Sequence, residues 1–202
     1  MIPKPTMTTA EAKAWRPAIP GGFAGEDWSS ELMRFYHALI PLLPPRAWFV
    51  EVGVAAGRSL MFAAERFVAC GNGGILIGVD PWQGQSHPDP EKRSPLSYAQ
   101  AMSCFAAHCD PAWWEIVYLW RMQGEQAAAA LGSTRLDAVC IDGEHTFPGC
   151  AGDIAAFRPL VKPGGFLFGH DYSSRFPGVQ RAVAEAFHGE VELWGTIWVA
   201  RL

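Results

Sequence analysis

The segment VELWGTIWVAR, residues 191–201, limits the folds that this sequence can adopt. Two short apolar runs, residues 191–194 and 197–201, are separated only by Gly195 and Thr196. Because a connection between parallel strands needs about a dozen residues or more, these two runs can pair only as an antiparallel hairpin. The sequence therefore predicts that the chain ends in such a hairpin.

The residues before this hairpin alternate between apolar runs and amphipathic stretches. Such alternation indicates a parallel sheet covered by helices on both faces. Together with the hairpin, it predicts an α/β, Rossmann-like, doubly wound fold with a seven-stranded, mostly parallel sheet and an antiparallel C-terminal hairpin strand. The predicted strands before the hairpin are residues 48–53, 75–80, 116–122, 136–142 and 165–169, and the helices between them are residues 58–70, 97–109, 126–131, 149–161 and 178–187.

The chain is expected to form one domain. Its 202 residues are enough to bury a continuous core. Residues 1–27 are rich in Pro, Thr and Gly without periodicity, which predicts an irregular N-terminal arm ahead of a single domain at residues 28–202. The domain is expected to begin with a helix capped by Ser29 or Ser30. Residues 83–95 are predicted to form either a lid over the site or an exposed loop.

Composition excludes several classes of function. The net charge is only −4, so no basic surface for nucleic acid is expected. The five cysteines contain no C-x-x-C pair, which argues against a disulfide framework and a zinc cluster. No apolar run has the length of a membrane span, and the amino terminus does not resemble a signal peptide, so a cytoplasmic protein without a membrane partner is expected. Aromatic residues near the amino terminus are compatible with a homodimer.

The loop after the first predicted strand has the residues expected of a ligand-binding turn. It reads EVGVAAGRS over residues 51–59, and in doubly wound sheets ligands lie beyond the carboxyl ends of the strands. Gly53 and Gly57 allow a close approach of the backbone, and the amides that open the next helix, where Ser59 lies, can face a carboxylate. Glu51 is predicted to face the ligand's amino group directly or through water. The alternative is a strand-to-helix turn without a ligand.

Two further strand ends supply candidate contacts to a nucleoside. Asp80 ends the second predicted strand, where a carboxylate can accept both ribose hydroxyls or, alternatively, cap a turn. Trp82 either packs on an adenine or closes the core. Gln123 follows the third strand and can read the adenine edge, although polar residues after strands are also common turn formers.

Four ionisable side chains, Asp142, His145, His170 and Asp171, follow the fourth and fifth predicted strands. These strands are expected to be neighbours, so the four side chains should converge beside the ligand. Two carboxylates and two imidazoles in one cleft suit a divalent cation or a general base for a hydroxyl. Turn stabilisation by the acids and a backbone-bonded His145 are the structural alternatives.

Several of these motifs together resemble a class I S-adenosylmethionine (SAM) dependent methyltransferase family, the one that includes macrocin-type sugar O-methyltransferases. The sequence is more distantly similar to catechol O-methyltransferase. The resemblance spans roughly residues 28–202, and its most specific element is Ile-Asp-Gly-x-His. The motifs are EVGVAAGRS (51–59), GVDPW (78–82), IDGEH (141–145), PGG (163–165) and GHDY (169–172).

The resemblance implies a SAM donor bound by Glu51, Gly53 and Asp80, and a small acceptor, such as a sugar or glycosylated metabolite, whose hydroxyl lies near Asp142 and His145. His145 matches the position of a general base in the sugar-modifying relatives. An antiparallel last strand in a mostly parallel sheet is also the pattern of SAM methyltransferases, whereas nicotinamide-binding Rossmann domains are wholly parallel.

A divalent metal is a further candidate cofactor, since the metal-dependent relatives bind one, and its candidate ligands here are Asp142, His170 and Asp171. Asp142 and Asp171 match metal-binding acids of the metal-dependent relatives, but His170 stands where those relatives have an acid. Since magnesium prefers oxygen ligands, this departure argues against magnesium. The residue types alone leave the identity of the metal open.

Two other functions compete with O-methylation. An NAD-dependent oxidoreductase would share the strand and helix alternation and the acid at position 80, but the sequence has no G-x-G-x-x-G after its first strand and ends in a hairpin. A non-catalytic module that binds SAM or a nucleotide would keep the fold without turnover.

Overall fold

A computed structural model describes residues 2–15, 29–83 and 96–202 of the chain. Seven strands form one sheet in the order β3-β2-β1-β4-β5-β7-β6. Strands β1 to β5 run parallel, and β7 pairs antiparallel with both β5 and β6. The predicted fold class is therefore confirmed. The strands are β1 (Trp48–Val52), β2 (Ile75–Val79), β3 (Val117–Trp120), β4 (Leu136–Ile141), β5 (Val161–Gly169), β6 (Glu192–Trp194) and β7 (Ile197–Arg201).

Helices cover both faces of the sheet. One core contains buried side chains of the first four helices, and the other contains those of the last three. This two-sided burial is why the central strands are apolar at consecutive positions rather than at alternate ones. The helices are α1 (Thr9–Ala14), α2 (Ser30–Leu39), α3 (Arg58–Ala69), α4 (Tyr98–His108), α5 (Gly124–Leu131), α6 (Phe147–Phe157) and α7 (Pro177–Phe187).

The largest shift from the predicted boundaries lies between α6 and β5. Helix α6 starts earlier than predicted because the Thr146 hydroxyl accepts the amide of Gly149, at 3.3 Å. It gives way to a 3₁₀ turn, Arg158–Leu160, that contains a proline, and β5 begins at Val161. Among the described residues, no helix combines the length and the apolar character of a membrane span.

The prediction of an irregular arm at residues 1–27 is wrong for residues 9–14, which form α1. The Glu11 amide donates to the Thr8 hydroxyl, and the Thr8 amide donates to the Glu11 carboxylate, which is a capping box. Ile2 and Ala12 are buried in the core. Residues 16–27 lie outside the described residues, as do residues 84–95 of the predicted lid, and the single domain at 28–202 stays a prediction.

Arg58, the first residue of α3, holds α1 against the rest of the domain. Its guanidinium donates to three backbone carbonyls at the end of α1, where the regular helical hydrogen bonds stop. Its Nη1 donates to the hydroxyl of Ser29 at 3.1 Å. The accepting carbonyls are those of Ala12 (3.0 Å), Lys13 (3.0 Å) and Trp15 (2.9 Å).

Replacing Arg58 by methionine is expected to free the end of α1. Methionine keeps an apolar stem but donates no hydrogen bond, and bonds from a charged donor contribute about 1.5–3 kcal/mol each. Hydrogen–deuterium exchange at residues 12–15 should become at least about tenfold faster. The control is Arg66→Met on the same helix, which should leave α1 unchanged. Equal protection of α1 in the Arg58 variant and the native protein would contradict this role.

Candidate active site

Gly53 brings the loops after β1 and β4 into contact. Its φ is +88°, and its amide donates to the carbonyl of Val79 in β2 at 2.8 Å. A Cβ at this position would overlap the backbone carbonyl of Asp142. Only glycine fits at this position, because the end of β4 lies directly against the predicted donor-binding turn.

Gly57 occupies the N-cap of α3 with a φ of +85°. A Cβ there would overlap the ring of Phe105, which α4 places over the start of α3. The predicted turn role of Gly57 therefore agrees with its conformation, and the position also admits a tight contact between two helices.

Glu51 and Ser59 are hydrogen-bonded to each other in the core beneath the loop after β1. The Glu51 carboxylate has no exposed surface and accepts hydrogen bonds from the hydroxyls of Ser59, at 2.7 Å, and Tyr36, at 2.8 Å. The role of Glu51 in facing the ligand's amino group, directly or through water, stays a prediction, and the structure shows its carboxyl group bonded to these two hydroxyls. Burial raises the pKa of Glu51 to about 8, outweighing the two hydroxyl donors that favour the ionised form.

Asp80 and Trp82 brace the same loop from the end of β2. The Asp80 carboxylate accepts from the amides of Val54 (3.1 Å), Ala55 (2.9 Å) and Trp82 (2.7 Å). The Trp82 indole donates to the carbonyl of Ala55 at 2.8 Å, and its side chain is buried. Of the two roles predicted for Trp82, the structure therefore shows the one that closes the core. Asp80 lies at the carboxyl end of β2, as predicted, and its carboxylate accepts hydrogen bonds from backbone amides.

Gln123 is exposed at the N-cap of α5. Its backbone amide donates to the side-chain carbonyl of Gln126 at 3.1 Å. The turn-forming alternative raised for this residue thus describes its local role, and its side chain remains accessible at the carboxyl end of β3.

The four predicted ionisable residues do converge at the ends of β4 and β5. His145 Nε2 lies 2.8 Å from Asp171 Oδ2 and 3.8 Å from Asp142 Oδ1. The shorter distance is that of an ion pair, although the ring N–H is not aligned for a hydrogen bond. The His145 ring also packs on Phe176, with centroids 4.6 Å apart. Asp171 has a φ of +60°, a conformation that aspartate tolerates better than most residues and that is common at functional sites.

The electrostatics of this cluster favour protonated imidazoles. Burial alone lowers the pKa of His145, but the neighbouring carboxylates of Asp142 and Asp171 outweigh it and raise the pKa to about 10. The pKa of His170 is also raised, because Glu31 and the same two acids outweigh its burial. The pKa of Asp171 is lowered despite its burial, since His145 and His170 stabilise its ionised form.

The donor set of Asp142, His170 and Asp171 fits a divalent cation. One ligand atom from each residue lies within 4.8 Å of the other two, and all three side chains are partly buried. His170 Nδ1 is 3.7 Å from Asp142 Oδ1 and 3.6 Å from Asp171 Oδ1. An ion bonded at about 2.1 Å to each would set such separations at roughly 3.0–3.4 Å, so these two distances are within a few tenths of an ångström of that range.

Sequence reasoning missed Glu31, which extends this cluster from α2. Its carboxylate lies 3.4 Å from His170 Nε2 and accepts from the Thr196 amide at 2.9 Å and the Thr196 hydroxyl at 2.7 Å. In the sequence, Glu31 looks like an ordinary acid in the first turn of a helix. Nothing local connects it with a histidine 139 positions later.

The comparisons with known proteins agree with this architecture. A family model described as a methyltransferase domain matches residues 50–172, which is more than half of the chain. The chain belongs to this family. The match spans the loop after β1 and the ionisable cluster, confirms the predicted methyltransferase class and favours it over the oxidoreductase alternative. No curated protein matches the sequence significantly.

Solved structures with the same fold include three O-methyltransferases. The TDP-rhamnose 3′-O-methyltransferase of calicheamicin biosynthesis, CalS11, is 16% identical with a TM-score of 0.63, over 84% of this chain and 76% of that one. The O-methyltransferase NovP is 15% identical with a TM-score of 0.62, over 84% and 77%. The O-methyltransferase TomG from Streptomyces achromogenes, in complex with SAM, is 17% identical with a TM-score of 0.61, over 87% and 81%. At these identities the likeness is one of fold.

Proposed function

We propose that this methyltransferase transfers the methyl group of SAM to a hydroxyl of a small molecule, such as a sugar or a glycosylated metabolite. The observation that carries the proposal is the contact between Gly53 and Asp142, which joins the turn after β1 to the cluster of Asp142, His145, His170 and Asp171. Such a contact would bring a donor bound at the turn next to an acceptor bound at the cluster. O-methylation by three proteins of the same fold supports the reaction type.

The donor would lie across the carboxyl ends of β1 and β2. Gly53 and Gly57 shape its loop, Asp80 meets the ribose, Trp82 and Gln123 flank the adenine, and Asp142 approaches the methionine end. Glu51 and Ser59 support the loop from below. The Asp80 carboxylate already accepts three backbone amides, which leaves it limited capacity to accept ribose hydroxyls, and Trp82 is buried.

The acceptor hydroxyl would lie beside His145, with Asp142 and Asp171 orienting the imidazole. Methyl transfer needs an oxygen nucleophile that is deprotonated and held in line with the methyl carbon. Asp142, His170 and Asp171 would hold a divalent ion, which would supply positive charge beside the acceptor site. In its neutral form, His145 would take the proton of the acceptor hydroxyl.

Calorimetry with S-adenosylhomocysteine tests the donor site. We expect one molecule bound per chain with a dissociation constant near the micromolar range, about −8 kcal/mol. Asp80→Asn should weaken binding at least about tenfold, because it removes the charge that accepts ribose hydroxyls. Asp110→Asn, at an exposed N-cap, is the matched control.

Three outcomes distinguish the candidate functions. Absence of binding well above micromolar concentration contradicts the donor site, and binding of NADH instead supports the oxidoreductase. S-adenosylhomocysteine binding without release of that product from SAM, with any of a panel of hydroxylated acceptors, supports the non-catalytic module.

A further inference from the structure

His170 is held between two kinds of carboxylate. Its Nδ1 faces Asp142 and Asp171, at 3.7 and 3.6 Å, while its Nε2 faces Glu31 at 3.4 Å. The side chain is only 10% exposed, so the ring has little freedom to turn. Because one nitrogen faces Glu31, the other is presented to the two aspartates.

Glu31 is itself fixed by the turn between β6 and β7. The Thr196 amide and hydroxyl both donate to it, and the backbone of Gly195 lies so close that a Cβ there would overlap its Oε1. The Glu31 carboxylate is therefore held in one orientation, with its Oε2 3.4 Å from His170 Nε2, where it can accept a hydrogen bond from that ring nitrogen.

We propose that Glu31 is a positioning residue that directs His170 Nδ1 at the metal site, and that the site therefore prefers imidazole-binding divalent metals such as Co²⁺ and Zn²⁺ to Mg²⁺. This inference rests on the proposed function for the presence of a metal. A metal-binding histidine commonly donates its other ring N–H to a carboxylate, which fixes the tautomer and raises the basicity of the ligand. Magnesium prefers an all-oxygen shell, whereas imidazole suits later divalent metals.

The cluster offers one nitrogen and two carboxylates on a single side of the site. The third carboxylate, Glu31, lies behind the His170 ring and bonds to Thr196. Glu31 is thus a carboxylate behind a histidine ligand, and its position differs from that of the two aspartates, which face the metal site. Replacing His170 by aspartate would give the metal site three carboxylate ligands and no nitrogen ligand.

Titration of the full-length, chelator-treated protein with Co²⁺ and Mg²⁺ tests the proposal without an activity assay. Calorimetry measures both affinities, and visible absorption reports nitrogen ligation of Co²⁺. We expect Co²⁺ to bind one per chain at least about 100-fold more tightly than Mg²⁺. Glu31→Gln should weaken Co²⁺ binding by about 10–100-fold and shift the absorption band. His170→Asp should lower the preference for Co²⁺ at least about tenfold.

The matched control is Glu185→Gln, which alters an exposed ion pair with Arg181 on α7. Equal affinities for Mg²⁺ and Co²⁺ in the native protein, or native Co²⁺ affinity in a folded Glu31→Gln variant, would overturn the proposal. If Glu31→Gln does not fold, Thr196→Val removes one of the bonds that fix Glu31. That variant should then weaken Co²⁺ binding severalfold, and unchanged binding would count against the proposal.

Binding of S-adenosylhomocysteine separates this inference from the proposed function. A protein that binds S-adenosylhomocysteine but shows no preference for Co²⁺ contradicts only the role of Glu31 and His170. A protein that prefers Co²⁺ but binds no S-adenosylhomocysteine contradicts the methyl donor and leaves the metal preference standing.

Discussion

Replacing His145 by asparagine is expected to lower methyl transfer by about 10²–10⁴-fold while leaving the affinity for S-adenosylhomocysteine within about twofold of the native value. Asparagine keeps a polar side chain next to Asp171 but has no group that accepts a proton from a hydroxyl. His145 lies 2.8 Å from Asp171 and packs on Phe176, so we expect the loop after β1 to keep its shape. The measurement is the release of S-adenosylhomocysteine from SAM with a panel of hydroxylated acceptors, followed by mass spectrometry.

The control for this experiment is the same replacement at His188. That histidine is exposed at the end of α7 with a φ of +52°, a conformation that asparagine adopts readily. His188→Asn should retain native turnover and native thermal stability. A His145→Asn protein that is folded, binds S-adenosylhomocysteine and turns over at the native rate would show that the proton is taken elsewhere.

Replacing Glu51 by glutamine is expected to remove a large part of the pH dependence of stability. The raised pKa means that folded Glu51 keeps its proton up to about pH 8, whereas the unfolded chain releases it near the ordinary glutamate pKa of 4.5. Between these values the folded state binds more protons, so the free energy of unfolding falls as the pH rises from 4.5 to 8 and is level outside this window. For a fully buried group the loss is at most about 5 kcal/mol.

The Glu51→Gln protein should consequently be more stable than the native protein at pH 8.5, by about 2 kcal/mol or more. At pH 5, where Glu51 is protonated, the two should agree within about 1 kcal/mol, since the amide also bonds to Tyr36 and Ser59. Urea unfolding at both pH values measures the difference. Glu185→Gln, in an exposed ion pair, is the control. Parallel stability curves for the native and Glu51→Gln proteins would mean that Glu51 titrates normally.

The positions of the site residues along the strands were predictable because they depend on local patterns. Apolar runs locate the strands, and the residue after each run lies at the carboxyl edge of a parallel sheet. Asp142, His145, His170 and Asp171 could therefore be expected to meet, and they do. The irregular arm was a wrong prediction for residues 9–14, because the capping box of Thr8 and Glu11 starts a helix in spite of the Pro and Gly content of the segment.

The orientation of the individual side chains was not predictable in the same way. Asp80 and Glu51 both lie at the expected strand ends, yet one is engaged with backbone amides and the other is buried under Tyr36 and Ser59. The strand pattern gives a position along the sheet. The direction of each carboxylate depends on which donors the neighbouring loops and helices bring to it.

By itself, the sequence determined the order of strands and helices, the antiparallel hairpin at the end of the chain and the set of polar residues at the carboxyl edge. These follow from side-chain periodicity and from the length of chain that a crossover requires. Only the tertiary structure decided that Glu31 lies behind His170, since the packing of α2 against the turn between β6 and β7 joins positions 139 residues apart. Contacts of that kind arise from the packing of whole elements, and no local pattern in the chain encodes them.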